Sequence, residues 1–280
     1  MNIYGYSEAW LKSRKGYIRE STYQNYDYAI KRFQRYFDDV PLSELSPQDI
    51  SGTFRTMAYS CSYNSIYNVR QIMRAVFSSA HDEGLIDKNP FDKIRIPQTA
   101  SLKIVEAYTL SEQKKIIKAA EDDELGDCYI FLILTGLRLS EFVNLTWDDY
   151  NPIKHTITIR QSKTQSGIAT IAISRKAELI ILRQVHRSHN YIFSNMHGKP
   201  ISTSSMKKLL KRIKEQTQIS VTNHKCRHTF CTRLVEAGVD IKTVSTLARH
   251  SSVAFTLQRY VSCDLHHQRI ALDSLDNLVV

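Results

Sequence analysis

The sequence lacks the apolar runs that membrane-spanning and secreted proteins carry. No window approaches the roughly 20 consecutive apolar residues that a membrane-spanning helix needs. The N-terminal stretch MNIYGYSEAWLKSRKGYIRE has no apolar core of the kind found in signal peptides. These absences predict a protein that stays in the cytoplasm and has no membrane partner.

Cysteine is scarce, and internal repeats and low-complexity runs are missing. The chain has five cysteines, an odd number, without the spacing of a disulfide framework. We therefore expect reduced thiols. With 42% apolar and 24% charged residues over 280 positions, the composition is typical of a globular protein large enough for two domains. The five cysteines are Cys61, Cys128, Cys226, Cys231 and Cys263.

The net charge of +10 is unevenly distributed along the chain. Residues 1–100 carry thirteen Lys/Arg against eleven Asp/Glu, whereas residues 101–280 carry twenty-five against seventeen. A positive excess of this size indicates a polyanionic partner, and nucleic acid is the leading candidate. The alternative is a basic protein without such a partner.

The first hundred residues have the apolar spacing of helices. Stripes at three- and four-residue steps predict several amphipathic helices. Ser46 and Pro47 are placed to begin one of them, and Gly84 to end another. We therefore predict a helical domain over residues 1–97.

The second part of the chain begins after a stretch with two prolines and no periodicity. We predict a linker over residues 98–104 and a second domain over 105–280. An apolar helix is expected to break at Gly136. Alternating residues on both sides of QSKTQSG predict a β-hairpin with a mobile tip. The expected fold class is mainly α with a small β-hairpin or sheet.

The stretch HKCRHTFC, beginning at His224, has the residue types of either a metal site or an anion site. On a helix that ends at Gly238, one face would hold His224, Arg227, His228 and Cys231, while Cys226 would point away. Zinc is disfavoured because four tetrahedral ligands do not converge and a guanidinium would face the dication. A face with histidine and arginine suits phosphate better, since a guanidinium binds phosphate through two parallel donors.

The order of motifs along the chain resembles the tyrosine recombinase, or phage integrase, family. The resemblance covers roughly residues 105–265 and rests on the segments TGLRLSE, SKTQSG, HKCRHTF, LARHSS and TLQRYVS. Residues 1–97 are similar to the family only as a helical domain of suitable size. The family's catalytic positions would fall on Arg138, Lys163, His224, Arg227, His250 and Tyr260.

The resemblance implies a fold, a reaction and a role for each residue. The fold would be a helical core-binding (SAM-like) domain followed by a mixed α/β catalytic domain. Arg138 and Arg227 would hold the non-bridging oxygens of a DNA phosphodiester, where charge develops during transfer. His224 would act as the general base, and His250 would bind the phosphate or move protons.

The nucleophile and the general acid also follow from the resemblance. Tyr260 would form a 3′-phosphotyrosyl bond, and Lys163 at the hairpin tip would protonate the leaving 5′-oxygen. Lys154 and Lys199 are the alternative lysines. Glu141 occupies the family's acidic position and would orient the arginines. The chemistry would need neither a metal nor another cofactor.

Two departures from the family's pattern are visible. Arg249 precedes the second histidine at a position where the family often has glycine, and it would add a cation that affects DNA contact or regulation. The sequence also begins directly with the helical domain, without the arm-binding domain of larger phage integrases, which fits either a minimal recombinase or a part of a longer protein.

The expected assembly is a homotetramer on two recombination sites in double-stranded DNA. Each protomer would clamp the duplex between its domains. The apolar tail after Asp264 would dock on a neighbour, and the alternative is that it packs on its own domain. Accessory DNA-bending or directionality proteins would be further partners, and the protein would associate with the nucleoid. The resemblance implies a site-specific DNA recombinase that cuts and rejoins duplex DNA, and we expect it to be the integrase of a mobile element. The alternatives are a type IB topoisomerase-like nicking enzyme, a DNA-binding regulator with an inert site, and a zinc hydrolase.

Overall fold

The computed structural model of the chain describes residues 1–98, 106–162, 164–185 and 188–260, without the side chains of 255 and 258–260. The chain divides into two compact units, Met1–Ile104 and Val105–Val280. Among the described residues, no helix is both long and apolar enough to cross a bilayer.

The first unit is a bundle of amphipathic helices. Ser46 begins α3 through a capping box with Asp49, as the sequence predicts. The helices α1, α2 and α3 each pack against α4, and apolar side chains fill the space between them. The helices are α1 (Ile3–Ser13), α2 (Glu20–Gln34), α3 (Pro47–Ala58) and α4 (Tyr63–Asp82).

The second unit is built around one apolar helix, α6 (Gly126–Thr135), which contacts α5, α8 and α10. Its side chains are buried on nearly every face because helices surround it. The sequence predicts its end correctly at Gly136, whose φ of 60° lies in the left-handed region that glycine favours. The other helices are α5 (Leu110–Glu121), α7 (Leu139–Phe142), α8 (Arg175–Leu182), α9 (Thr203–Thr217), α10 (Asn223–Glu236), α11 (Ile241–Ala248) and α12 (Val253–Tyr260).

A small antiparallel sheet accompanies the helices of the second unit. The predicted hairpin is present as β2 (Thr156–Ile159) and β3 (Ala169–Ala172). A strand of two residues, β1 (Tyr150–Asn151), adds to the edge and was too short to leave a pattern in the sequence. The expected fold class, mainly α with a small sheet, is confirmed.

Candidate active site

A sharp turn between two helices places the first predicted arginine. Gly136 ends α6, and Arg138 then begins the short helix α7. A Cβ atom on Gly136 would lie 2.4 Å from the ring of Phe230 on α10. Glycine is therefore required both for the backbone conformation and for the close approach of α10 to the turn.

Glu141, on α7, connects the residues around it. Its Oε1 accepts hydrogen bonds from Arg138 Nη1 at 2.7 Å and from Ser162 Oγ at 2.6 Å. Its Oε2 accepts from the backbone N–H of Arg138 at 3.0 Å and from Arg249 Nη2 at 2.9 Å. Burial alone would raise the pKa of this carboxyl, but the bonds from Ser162 and the two arginines lower it overall. Glu141 is therefore an ionised carboxylate whose two oxygens are both held in place.

Arg227, on α10, is the most deeply buried of the predicted catalytic arginines, with 5% of its surface exposed. Its Nη1 donates to the carbonyl oxygen of Gly136 at 2.9 Å. Its Nη2 is buried and has no hydrogen-bond partner among the described residues. Burial, followed by the positive charges of Arg249 and Arg138, lowers its pKa to about 10. The site thus holds an excess of positive charge and a buried donor suited to an anion.

The predicted histidines lie on the elements next to the arginines. His224 is exposed on α10, three positions before Arg227, and its ring meets that of His228 edge to face at 4.7 Å. His250 is half-buried directly after Arg249. Its Nδ1 lies 2.8 Å from the hydroxyl of Thr256, a fully buried residue of α12. This bond joins the second histidine to the helix that ends at Tyr260.

The structure thus brings Arg138, Glu141 and Arg227 into one connected network. Lys163 lies outside the described residues, and so does the side chain of Tyr260, although the backbone of Tyr260 forms the last residue of α12. The alternative lysines are both exposed, Lys154 in the turn before β2 and Lys199 in the turn that precedes α9. The roles assigned to these residues from the sequence stay predictions.

The two cysteines of the HKCRHTFC stretch lie in different apolar clusters. Cys226 is buried in the main core of the second unit, whereas Cys231 packs with Val244 and Ala248. Burial raises the pKa of the Cys226 thiol to about 12, which opposes the thiolate form that metals bind. No group of three His, Cys, Asp or Glu in the described parts of the chain is arranged to hold a metal ion.

Ser162 is a member of this network that the sequence analysis missed. It precedes the predicted lysine, donates to Glu141 and accepts from Arg138 Nη1 at 3.3 Å. The first part of the β2–β3 connection is thereby attached to Arg138 and Glu141. The only signal in the sequence was its position beside Lys163. A lone serine in a loop is not evidence for a site.

Gly167 allows the β2–β3 connection to close over Ser162. A Cβ atom on Gly167 would lie 1.9 Å from Ser162 Oγ, 2.4 Å from Ser162 Cβ and 3.0 Å from Arg138 Nη1. We expect Gly167→Ala to lower the free energy of unfolding by about 1–3 kcal/mol, because backbone must move to make room. Denaturant unfolding followed by circular dichroism measures this loss.

The matched control for this prediction is Gly52→Ala. A Cβ atom on Gly52 would meet nothing within 4 Å, and the residue lies inside α3, where alanine is the better helix former. This variant should unfold at the same or a higher denaturant concentration than the unchanged chain. Equal stability of Gly167→Ala and the unchanged chain would show that the backbone at Gly167 or Ser162 shifts to accommodate a Cβ atom without a measurable cost.

Two family models match the chain. The model described as the phage integrase family matches residues 107–267, which is more than half of the chain. The model described as the phage integrase SAM-like domain matches residues 2–96. The expected fold class, a SAM-like helical domain plus a catalytic domain of this family, is confirmed by these matches.

Individual proteins are similar to the chain over almost its whole length. A protein of Agathobacter rectalis named tyrosine recombinase is 27% identical over 91% of this chain and 90% of its own length. The Tn1549 transposon integrase, solved in complex with a circular intermediate DNA, aligns at 21% identity with a TM-score of 0.80, over 98% of this chain and 99% of that one. The lambda integrase tetramer bound to a Holliday junction aligns at 20% identity with a TM-score of 0.77, over 93% and 78%. At these identities, the two structures establish the fold alone.

Proposed function

The chain belongs to the phage integrase family and is a site-specific DNA recombinase, and we propose that it acts through a 3′-phosphotyrosyl intermediate as the integrase of a mobile element. The observation that carries this proposal is the network around Glu141. Two arginines, Arg138 and Arg249, share one buried carboxylate. Beside them Arg227 donates to the Gly136 carbonyl oxygen and keeps a buried donor without a partner among the described residues. A DNA phosphate is the anion that would complete this site.

The reaction that we propose starts with attack on the scissile phosphorus. The Tyr260 oxygen bonds to phosphorus and gives its proton to His224, and the bond from phosphorus to the 5′-oxygen breaks. Lys163 donates a proton to that departing oxygen. Arg138, Arg227 and His250 bind the non-bridging oxygens. A second 5′-hydroxyl then attacks the phosphotyrosine and gives its proton to Lys163, while the bond from phosphorus to the Tyr260 oxygen breaks and His224 returns a proton to that oxygen. The phosphodiester is thereby restored without an external energy source.

The positive charge of the buried network explains why no bound cation is required in this proposal. Negative charge develops on the non-bridging oxygens during the transfer, and fixed guanidinium donors stabilise it without reorganisation. Arg138, whose side chain is 28% exposed, is accessible to a phosphate from outside. Arg227 would meet the phosphate from the buried side.

We propose duplex DNA as the substrate and a homotetramer on two sites as the active assembly. The solved tetramer of lambda integrase has the same fold and supports this arrangement. In our proposal the protein acts in the cytoplasm on nucleoid DNA, and accessory DNA-bending or directionality proteins select between integration and excision.

A plasmid assay tests whether the chain recombines two sites. The candidate site is taken from the DNA that borders the gene, and plasmids carry either two copies or one. We expect recombinant circles only from plasmids with two copies, because strand exchange needs two sites. Relaxation of supercoils without recombinants, equally in both plasmids, would indicate a nicking and relaxing enzyme. Binding without any strand cleavage would indicate a regulator.

A further inference from the structure

Arg249 occupies a backbone conformation that arginine rarely adopts. It ends α11 with a φ of 54°, in the left-handed region where a Cβ atom is unfavourable and glycine is not penalised. The family often has glycine at this position. An arginine here must make side-chain contacts that offset the free-energy cost of the left-handed conformation. From the sequence we expected Arg249 to affect DNA contact or regulation, but its side chain is fully buried within the protein.

The partners of Arg249 are the same groups that hold the catalytic arginines. Its Nη2 donates to Glu141 Oε2 at 2.9 Å and lies 3.4 Å from the carbonyl oxygen of Gly136. Its Nη1 donates to the carbonyl oxygen of Leu247 at 2.9 Å. Glu141 also holds Arg138, and the Gly136 carbonyl also holds Arg227.

These contacts fix both acceptors in one orientation. With Arg249 on Oε2 and Arg138 with Ser162 on Oε1, the Glu141 carboxylate cannot rotate without losing a charged hydrogen bond. Arg138 and Arg249 also share the single negative charge of Glu141. Arg138 therefore keeps more net positive charge around it than it would in an isolated ion pair with that carboxylate. Glu141 and Arg249 are both buried, so solvent screens their interaction little.

We propose that Arg249 is a positioning residue: it locks Glu141 and the Gly136 carbonyl, and thereby sets Arg138 and Arg227 for the scissile phosphate. This inference rests on the proposed function. Arg249 itself does not contact DNA in this proposal. Its effect on cleavage is transmitted entirely through the other two arginines.

Two substitutions separate the contribution of the positive charge of Arg249 from that of its hydrogen-bond geometry. Arg249→Met removes the charge, and Arg249→Lys keeps it but loses the planar pair of donors. We expect cleavage of a nicked duplex, in which the adduct accumulates, to slow roughly 100-fold in Arg249→Met and roughly 10-fold in Arg249→Lys. The affinity for the same duplex should stay within about threefold, because most phosphate contacts lie elsewhere.

A double variant distinguishes positioning from a general loss of stability. In an Arg138→Ala background, Arg249→Lys should slow cleavage by less than the roughly 10-fold that it costs alone, because the part transmitted through Arg138 is already lost and only the part transmitted through Arg227 remains. The control is Arg183→Met, which removes an arginine that pairs with Asp127 away from the site. It should cleave like the unchanged chain. A full multiplicative loss in the double variant, or unchanged cleavage by Arg249→Lys, would overturn the proposal.

Binding of inorganic sulfate gives a readout that does not depend on DNA cleavage. We expect sulfate, compared with chloride at equal ionic strength, to raise the thermal midpoint of the unchanged chain and of Arg183→Met. The increase should be smaller in Arg249→Lys, because misplaced arginines bind the anion less well. An equal increase in Arg249→Lys would overturn the proposal even if the protein never cleaves DNA. Absence of cleavage by the unchanged chain, with the sulfate difference present, would instead refute the proposed function.

Discussion

Tyr260→Phe should abolish the covalent protein–DNA adduct completely. The substitution removes only the phenolic oxygen that would bond to phosphorus, so DNA affinity and stability should be unchanged. The measurement uses a duplex with a nick beside the scissile phosphate, from which the short leaving strand diffuses away. The adduct is then counted as protein that migrates with labelled DNA in denaturing electrophoresis.

Several tyrosines of the second unit are poor nucleophiles for physical reasons. Tyr108 and Tyr129 are fully buried and hydrogen-bond to each other at 3.0 Å, and burial raises the pKa of both. Tyr150 donates to Glu178 at 2.5 Å; burial and this bond raise its pKa to about 12. Tyr260 ends a helix that is joined to His250 through Thr256, one turn earlier.

The control for this prediction is Tyr191→Phe. Tyr191 is half-buried in the same unit and lies outside the sequence segments that resemble the family. We expect its variant to form the adduct at the unchanged rate. An adduct that persists in Tyr260→Phe and disappears in Tyr191→Phe would transfer the nucleophile to Tyr191.

Much of the fold could be predicted because its signals are local. Ser46 and Thr109 begin helices through capping boxes with the residue three positions later, and each pair is visible in the sequence. The break at Gly136 and the alternation in β2 and β3 are equally local. These elements could therefore be predicted without knowing how they pack against each other.

The network around Glu141 was only partly predictable because its contacts join distant parts of the chain. Glu141 and Arg249 are 108 residues apart, and Ser162 is 21 residues from Glu141. The sequence suggested that Glu141 orients the arginines, through the resemblance to the family. It did not indicate that Arg249 is buried, since an arginine after a short helix is usually exposed.

Arg227→Met should slow adduct formation about 1,000-fold, the largest effect that we expect from any residue other than the nucleophile. The substitution removes a guanidinium whose buried Nη2 has no hydrogen-bond partner among the described residues. If that donor binds a phosphate oxygen, its loss costs up to roughly 1,000-fold. The affinity for duplex DNA should change little, because other phosphate contacts remain.

Arg227→Met should lose cleavage rate without losing thermal stability. Burial and the neighbouring arginines hold the pKa of Arg227 near 10, below its ordinary value, so its charge disfavours the folded state. This cost is fully present at pH values below the folded pKa and disappears as the pH rises through the ordinary pKa of the unfolded chain. Removing the charge at pH 7.5 relieves the cost and offsets the lost bond to Gly136. Thermal unfolding should therefore show an equal or higher midpoint.

A neutral scissile phosphate provides the decisive test of where Arg227 acts. A methylphosphonate has one non-bridging oxygen replaced by methyl, so less negative charge develops during the transfer. If Arg227 stabilises that charge, the difference in rate between Arg227→Met and the unchanged chain should shrink from about 1,000-fold to below about 30-fold. Up to pH 9 the rate of the unchanged chain should not fall through Arg227, because a group with a pKa of about 10 is still roughly nine-tenths protonated there. An undiminished difference on the methylphosphonate would place the action of Arg227 away from the non-bridging oxygens.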